Sequence, residues 1–299
     1  MAFNIILIFF IQIILPTIFI ITLWRLKGKN KFEWIIQSLF TLAFISWLFF
    51  AGSWDILGYY LRFIWPILLI PAIYFSWKSN HSLPFRSTLN LRQKVSMGIN
   101  ILLLLVFVMY NVFVFSGFYT KDKAIALSFP FKYGTYYVGH GGSNPIINYH
   151  NAYEDQQYAL DIVKLNGFGT RANGIYPKQL DKYAIYGDTL SSPCTGEVVE
   201  TENQLENLTP PDTDPEQPFG NHVALACENI DAVIYIAHMQ KNSVTVEKGE
   251  SIKEGQQIGS VGNSGNTSEP HLHIHAEKNG VGIPIRFDGK FLVRNNLVR

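Results

Sequence analysis

Pro270-His271-Leu272-His273-Ile274-His275, close to the C-terminus, decides how the second half of this chain is interpreted. Histidine alternates here with apolar residues, which is typical of a β-strand whose successive side chains point to opposite faces. The histidines at i and i+2 therefore share one face of the strand. A turn-rich approach, Gly262-Asn263-Ser264-Gly265-Asn266, precedes the strand. The stretch predicts a strand that presents paired imidazoles to one pocket.

Further candidate ligands lie upstream of this strand. They are His238, in Ile236-Ala237-His238, and the pair His150 and Asp161. Two histidines and one carboxylate form a zinc site with an open fourth position, which is the catalytic rather than the structural arrangement. The remaining histidines would then serve in proton transfer. The pattern therefore favours a catalytic zinc site.

Composition and charge divide the chain into two parts. Its 299 residues are enough for two domains. Residues 1–120 are dominated by apolar side chains and carry 9 Lys/Arg against 2 Asp/Glu, whereas residues 121–299 carry 15 against 21. The second part has no basic stripe, so nucleic acid is not an expected partner. We expect a transmembrane anchor over 1–120 and a separate domain over 121–299.

The first part contains four apolar runs, each near the roughly 20 residues that cross a bilayer. They are Phe3–Trp24, Trp34–Ala51, Leu57–Trp77 and Val95–Phe118. The first run is too long for a signal peptide, and no small-residue cleavage site follows it. We expect an all-α bundle of four transmembrane helices, with Arg62 reaching the lipid headgroups from the end of the third.

Loop charges give an orientation for this bundle. The loop after the first run carries four basic residues, the loop after the third carries four more, and the loop after the second carries none. Cytoplasmic loops are enriched in Lys and Arg. The sequence therefore predicts a multi-pass protein of the cell membrane, in contact with membrane lipid. Everything after about Tyr119 is expected to be extracytoplasmic.

The two cysteines, Cys194 and Cys227, both fall in the outer part. In an oxidising compartment such a pair is permitted to form a disulfide. Two buried thiols are the alternative, because the sequence does not give the separation of the two residues. Both possibilities stay open at this stage.

Short strands separated by turns characterise the outer part. The β-branched content and length of six segments predict strands. They are Glu197–Val199, His222–Cys227, Ala232–Ile236, Ser243–Val246, Gln257–Val261 and His271–Ala276. Between them, Glu200–Gln217 has six acidic residues, no basic ones and three prolines, and we expect a solvated loop there.

Seven short motifs follow one another in this part. They are Tyr158–Ile162, Ser192–Val199, Gly220–Val223, Ile236–Met239, Val246–Gly259, Gly262–Gly265 and Pro270–His273. In this order they resemble the lysostaphin/LytM-type zinc metallopeptidases, which cleave peptide bonds in bacterial peptidoglycan. The resemblance covers about residues 148–277 and not the apolar runs. It implies a mainly-β domain of antiparallel sheets with the lysostaphin/LytM-like peptidase fold.

The resemblance also implies roles for five residues. By position, the family's zinc ligands fall on His150, Asp161 and His273, and its catalytic histidines on His238 and His271. One Zn2+ per chain would lower the pKa of a bound water and polarise the scissile carbonyl. A neutral histidine can accept that water's proton near neutral pH. A membrane-anchored zinc metalloendopeptidase acting on peptidoglycan peptides is the function that this implies.

Two points stay open in this interpretation. Many family members have three residues between the first histidine and the aspartate, whereas ten lie between His150 and Asp161 here. His140, in Gly139-His140-Gly141-Gly142, is therefore a rival for the first ligand. The alternative function is a non-catalytic member of the same fold that binds cell wall or regulates another wall hydrolase. The peptide bond that is cleaved, the oligomeric state and any regulatory partner do not follow from the sequence.

Overall fold

Secondary structure changes where the composition changes. The computed structural model describes residues 2–299 and divides into two compact units, Met1–Phe115 and Ser116–Arg299. The first unit is helical and the second consists mainly of strands. This is the fold class that the sequence predicts, an α-helical N-terminal part followed by a mainly-β part with antiparallel sheets.

The first unit contains four helical stretches long and apolar enough to cross a membrane, Ile5–Trp24, Lys31–Ala51, Tyr59–Asn80 and Leu91–Ser116. The α-helices of this part of the chain are α1 Ala2–Phe9, α2 Leu15–Trp24, α3 Lys31–Ala51, α4 Trp54–Leu57, α5 Ile64–Asn80 and α6 Leu91–Ser116. A π-helical turn, Phe10–Ile14, joins α1 to α2, and a 3-10 helix, Tyr59–Phe63, leads into α5.

Polar side chains connect these helices inside the first unit. Asn100 of α6 donates from Nδ2 to Gln37 Oε1 of α3 at 2.9 Å. Asn111 of α6 donates to the carbonyl oxygen of Ala43 at 2.8 Å. Apolar surfaces gain little from association in lipid, so hydrogen bonds of this kind help to hold membrane helices together.

The side chain of Arg62 bonds within the first unit. Its side chain is only 5% exposed, and its Nη2 donates to the carbonyl oxygen of Phe49 at 2.8 Å. The guanidinium carbon lies 3.9 Å from the centre of the Phe49 ring. The carbonyls of the last turn of α3 lack intrahelical partners, so a buried guanidinium is stabilised there. The guanidinium thus bonds to the protein itself, and the position of Arg62 at the level of the lipid headgroups stays a prediction.

The second unit contains fourteen strands and two 3-10 turns. The strands are β1 Ile125–Leu127, β2 Tyr136–His140, β3 Leu160–Lys164, β4 Thr189–Ser191, β5 Gly196–Glu202, β6 Asn221–Cys227, β7 Val233–Met239, β8 Ser251–Ile252, β9 Gln257–Ser260, β10 Leu272–Lys278, β11 Val281–Ile283, β12 Ile285–Phe287, β13 Lys290–Phe291 and β14 Leu297–Val298. The 3-10 turns are Tyr149–Ala152 and Leu180–Lys182.

A nine-stranded sheet organises this unit. Its order is β14-β2-β3-β10-β7-β6-β5-β8, with β11 paired to β10, and its strand pairs are antiparallel. The apolar positions of the central strands, such as Ile162, Ile236 and Ile274, are fully buried in one core. The strand with the paired histidines, β10, therefore lies in the middle of the sheet, between β3 and β7.

One predicted strand does not form, and one loop is shorter than expected. Ser243–Val246 has no strand assignment: Thr245 N donates to Ile258 O at 3.1 Å, but Val244 N donates to the side chain of Asn203. The ladder with β9 is thereby interrupted. The loop expected from Glu200 begins after Glu202, because β5 continues to that residue beside β6.

The two cysteines form a disulfide, which resolves the choice that the sequence left open. Cys194 and Cys227 are bonded, with their Cα atoms 5.8 Å apart. Cys194 lies just before β5, and Cys227 ends β6, where Gly196 is its cross-strand partner. The bond therefore joins the ends of two adjacent strands.

Candidate active site

The pairing of β3 with β10 creates the centre of the candidate site. His273 lies directly opposite Asp161 in the register of these strands. Cross-strand neighbours share one face of a sheet, and here Nδ1 of His273 lies 3.0 Å from Oδ1 of Asp161. Both side chains are buried, with 3% and 7% of the residue exposed. The sheet itself therefore fixes an imidazole against a carboxylate.

A 3-10 turn brings His150 to the same carboxylate. Nε2 of His150 lies 3.0 Å from both carboxylate oxygens of Asp161. Asn148 caps the turn, since its Oδ1 accepts from His150 N. Its Nδ2 donates to Ala159 O, two residues before Asp161, at 3.0 Å. The buried Asn148 side chain thus bonds to both ends of the segment between His150 and Asp161. This explains how two residues with a long spacing in the sequence can lie side by side.

A bulge in β7 directs His238 toward this centre. The register with β6 shifts between Asn221 and Val223, and His238 has a φ of +61°. Bulges redirect a side chain and recur beside active sites. Nδ1 of His238 lies 3.0 Å from the carbonyl oxygen of Ser264. A neutral ring that donates through Nδ1 keeps an unprotonated Nε2.

Gly220 makes the contact between His238 and Ser264 possible. Its φ is +60°, and a Cβ at this position would lie 2.1 Å from the carbonyl oxygen of Ser264. That oxygen is the partner of His238 Nδ1. A side chain at position 220 would therefore displace the group that orients His238.

His271 is oriented by the loop that precedes β10. Its Nδ1 lies 2.9 Å from the carbonyl oxygen of Glu269, and its Nε2 lies 3.4 Å from Oδ1 of Asp161. The Glu269 side chain in turn contacts Arg171, which is 2% exposed. Nε and Nη2 of Arg171 lie 2.8 and 2.7 Å from Glu269 Oε2. This Arg171–Glu269 pair anchors the loop that presents His271.

Burial and mutual charge set the protonation of the cluster. Burial would raise the pKa of Asp161, but attraction by His150 and His271 holds it well below its ordinary value. Burial lowers the pKa of His273 to about 4 despite the hydrogen bond to Asp161. Burial, followed by repulsion from His271, also lowers the pKa of His238. The centre therefore combines an ionised Asp161 with neutral His238 and His273 rings.

His271 differs from the other histidines of the cluster. Burial would lower its pKa, but attraction by Asp161, the hydrogen bonds to Asp161 and the Glu269 carbonyl, and the charge of Glu269 outweigh burial and raise it. His271 therefore binds a proton more readily than His238 or His273 does.

His140 and His150, the two candidates for the first ligand, have different partners in the structure. His140 lies opposite Asp161 in β2, yet its Nδ1 lies 2.9 Å from Nη2 of Arg294. Its ring centre is 6.3 Å from that of His150. His150, and not His140, contacts Asp161.

The other two outer histidines are both buried. His275 is 1% exposed, and its Nδ1 lies 3.0 Å from Nε2 of His273. His222 lies in β6, where its Nδ1 is 2.8 Å from the carbonyl oxygen of Gly220. His275 therefore belongs to the surroundings of the centre, whereas His222 bonds locally.

A cleft of about 250 Å³ opens onto the centre. It is lined by Tyr149, His150, Tyr153, Gln156, Pro218, Phe219, His238, Asn266 and His273. Sequence reasoning did not single out the aromatic residues Tyr149, Tyr153 and Phe219. The position of Tyr149 beside His150 was the available signal, but side-chain direction in a 3-10 turn does not follow from spacing alone.

The donor atoms of this cluster suit a metal ion. Ligand atoms of His150, Asp161 and His273 all lie within 4.8 Å of one another, and so do those of His238, His271 and His273. The first group offers two imidazole nitrogens and one carboxylate, which is a donor set that Zn2+ accepts with a position left open. The low pKa values of Asp161 and His273 give the protonation states that metal ligands need.

A comparison with protein families gives one match in the second unit. The family model described as Peptidase family M23 matches residues 178–284. The matched segment contains His238, His271 and His273, whereas His150 and Asp161 precede it. The second unit is therefore similar to this type of domain over residues 178–284.

Several solved structures are similar to parts of the chain. A putative peptidase M23 from Pseudomonas aeruginosa is 20% identical over 34% of this chain and 38% of its own, with a TM-score of 0.26. A zinc containing peptidase from Vibrio cholerae is 18% identical over 54% and 39%, with a TM-score of 0.32. The catalytic domain of lysostaphin from Staphylococcus simulans is 19% identical over 49% and 91%, with a TM-score of 0.24. The chain thus spans well under half of the first two proteins.

Proposed function

From the similarity of the second unit to peptidase family M23, we propose that the protein is a membrane-anchored zinc metalloendopeptidase. Its substrate class is the peptide part of bacterial peptidoglycan, which it cleaves outside the cytoplasmic membrane. The observation that carries this proposal is the convergence of His150, Asp161 and His273, with donor atoms within 4.8 Å of one another. One Zn2+ per chain is held by these three residues.

The chain's own residues supply the proton chemistry in this proposal. A zinc ion in such a site polarises a carbonyl and acidifies water. His238 donates through Nδ1 to Ser264 O, so its Nε2 is available to accept a proton. His271 is tied through Nδ1 to Glu269 O, and its Nε2 points toward Asp161. Together the two histidines take a proton from water and return one to the leaving amine.

The first unit supports a reaction outside the cytoplasmic membrane. Its four apolar helices are long enough to cross a membrane. Basic residues are concentrated in the segments after the first and third helices, which the positive-inside rule assigns to the cytoplasm. The second unit then faces the cell wall, where peptidoglycan peptides are the available substrate and membrane lipid surrounds the anchor.

Digestion of peptidoglycan by the full-length protein in detergent tests the proposal. The wild type is expected to release fragments with new amino termini, which mass analysis identifies together with the bond cleaved. The His271→Asn variant is expected to release none. His222→Asn is the matched control, because His222 is a buried histidine of the same sheet that bonds to Gly220 O and not to the centre.

The same assay distinguishes an enzyme from a binding module. Equal fragment release by the wild type and the His271→Asn variant would contradict catalysis by this site. Sedimentation of the wild type with peptidoglycan, without any fragment release, would instead support the non-catalytic alternative. Activity lost equally in His271→Asn and His222→Asn would show that the loss comes from a disturbed sheet and would also contradict the assignment.

A further inference from the structure

We propose that His275 is a positioning residue for His273, and this inference rests on the proposed zinc site. In it, Nδ1 of His275 accepts the Nε2 proton of His273, which keeps Nδ1 of His273 unprotonated for a metal. Metal ligands of this type commonly donate their second ring N–H to a carboxylate or carbonyl. Here the partner is a second imidazole, and the pair can exchange tautomers.

Geometry places the two rings in direct hydrogen-bond contact. They lie two residues apart on β10, so they share one face of the strand. Nε2 of His273 is 3.0 Å from Nδ1 of His275. The opposite ring nitrogen of His273, Nδ1, is 3.0 Å from Asp161 Oδ1. His273 therefore bridges the proposed metal centre on one side and His275 on the other.

Two neighbouring rings hold His275 in this orientation. Tyr235 lies directly opposite it on β7, with the ring centres 4.9 Å apart and the planes 7° from parallel. Phe219 packs on it with a centre distance of 5.5 Å. A ring enclosed in this way cannot turn its Nδ1 away from His273 without displacing an aromatic neighbour.

Proton counting links the two imidazoles. A neutral imidazole has one N–H and one acceptor nitrogen. Without metal, His273 can donate from Nδ1 to Asp161, and its Nε2 then accepts from His275 Nδ1. When Nδ1 of His273 serves as a ligand, the proton of His273 is on Nε2 and donates to His275 Nδ1. The proton of His275 must then be on its own Nε2, and the number of protons on the pair is unchanged.

The unpartnered Nε2 of His275 is a cost of this arrangement in either tautomer. This Nε2 is buried and has no hydrogen-bond partner among the residues that the structure describes. A buried polar atom without a partner is unfavourable. Position 275 is nevertheless a histidine, and the hydrogen bond that its ring makes is the one between Nδ1 and His273. The acceptor nitrogen Nδ1 is therefore the property that a phenylalanine ring at position 275, packed against Tyr235 and Phe219, would lack.

Zinc affinity of three variants tests the proposal, measured on the full-length protein in detergent by competition with a chromophoric chelator. His275→Phe keeps the aromatic ring and removes the acceptor, and it is expected to weaken zinc binding about 10- to 100-fold. His275→Asn loses the ring but has an oxygen that can occupy the position of Nδ1, and it is expected to bind close to the wild type. His222→Asn is the control and is expected to bind unchanged.

Opposite results would overturn the inference. If His275→Phe binds zinc as tightly as the wild type while His275→Asn binds weakly, the ring and not the acceptor matters. If both bind as the wild type, His275 has no influence on the ligand. Thermal unfolding of each variant identifies one that fails to fold. A wild type that binds no zinc overturns the proposed function itself, which is a distinguishable outcome.

The tautomers can also be observed without any substitution. In protein labelled with 15N-histidine, zinc addition is expected to move the His275 proton from Nδ1 to Nε2, which changes the one-bond and two-bond couplings of that ring. The His222 resonances are expected to keep their tautomer. A His275 ring whose tautomer is the same before and after zinc saturation would overturn the proposed exchange.

Discussion

The Arg171–Glu269 pair allows a prediction whose sign depends on burial. The side chain of Arg171 is 1% exposed, whereas that of Glu269 is 22% exposed. Glu269→Gln leaves a guanidinium almost without access to water, and breaking a buried pair in this way costs about 3–5 kcal/mol. Arg171→Met leaves a carboxylate that reaches solvent, so we expect a smaller loss of about 1–3 kcal/mol.

Full-length protein in detergent allows both losses to be measured. Urea unfolding followed by pulsed hydrogen exchange of peptides from β3 and β10 reports the free energy of unfolding of the second unit. We expect Glu269→Gln to be the more destabilising of the two variants. Because the carbonyl of Glu269 orients His271, both variants should also lower kcat more than they raise KM.

Two results would refute this reasoning. Arg171→Met could prove more destabilising than Glu269→Gln, which would show that the charge of Arg171 is not the dominant cost. Alternatively, both variants could lose less than about 0.5 kcal/mol, the range of ordinary surface substitutions. The pair would then not anchor the loop before β10.

Three further predictions concern other parts of the chain. Burial, followed by Arg294, lowers the pKa of His140 to about 3, so the unfolded chain binds a proton at higher pH than the folded chain and stability falls as pH decreases. His140→Asn should reduce that slope by about 1.4 kcal/mol per pH unit between pH 6 and 4 in acid unfolding curves; an unchanged slope would contradict the buried neutral ring. Replacing Cys194 and Cys227 by serine should destabilise the second unit by about 3–4 kcal/mol, given their separation of 33 residues, and an unfolding midpoint equal to the wild type would contradict it. Asn111→Leu should lower the free energy of unfolding of the helix bundle by about 0.6–2 kcal/mol in detergent unfolding titrations. An unchanged free energy would contradict a net stabilising role for its hydrogen bonds.

Local patterns were enough for the secondary structure that positions the site. The four apolar runs became four helices because length and hydropathy alone determine such segments. The alternation in Leu272-His273-Ile274 predicted β10 and the face that its histidines share. The prediction of a strand at Ser243–Val246 was wrong. The composition of this segment favours a strand, but its backbone hydrogen bonds are divided between β9 and the Asn203 side chain.

Contacts between distant residues could not be predicted in the same way. Arg171 and Glu269 are 98 residues apart, and no motif connects them. The sequence favoured His150 over its rival His140 only because it is closer to Asp161, whereas the structure shows that Arg294 contacts His140 and that Asn148 caps the turn of His150. The partner of the Arg62 guanidinium, a helix-terminal carbonyl, could not be predicted because it leaves no trace in composition.

Elemental analysis of the purified full-length protein tests the central proposal most directly. We predict one zinc per chain in the wild type, retention of that zinc in His140→Asn, and its loss in His150→Ala, Asp161→Ala and His273→Ala, since these three residues converge in the structure. A wild type without stoichiometric zinc, or an Asp161→Ala variant that keeps it, would contradict the metal centre and the function built on it.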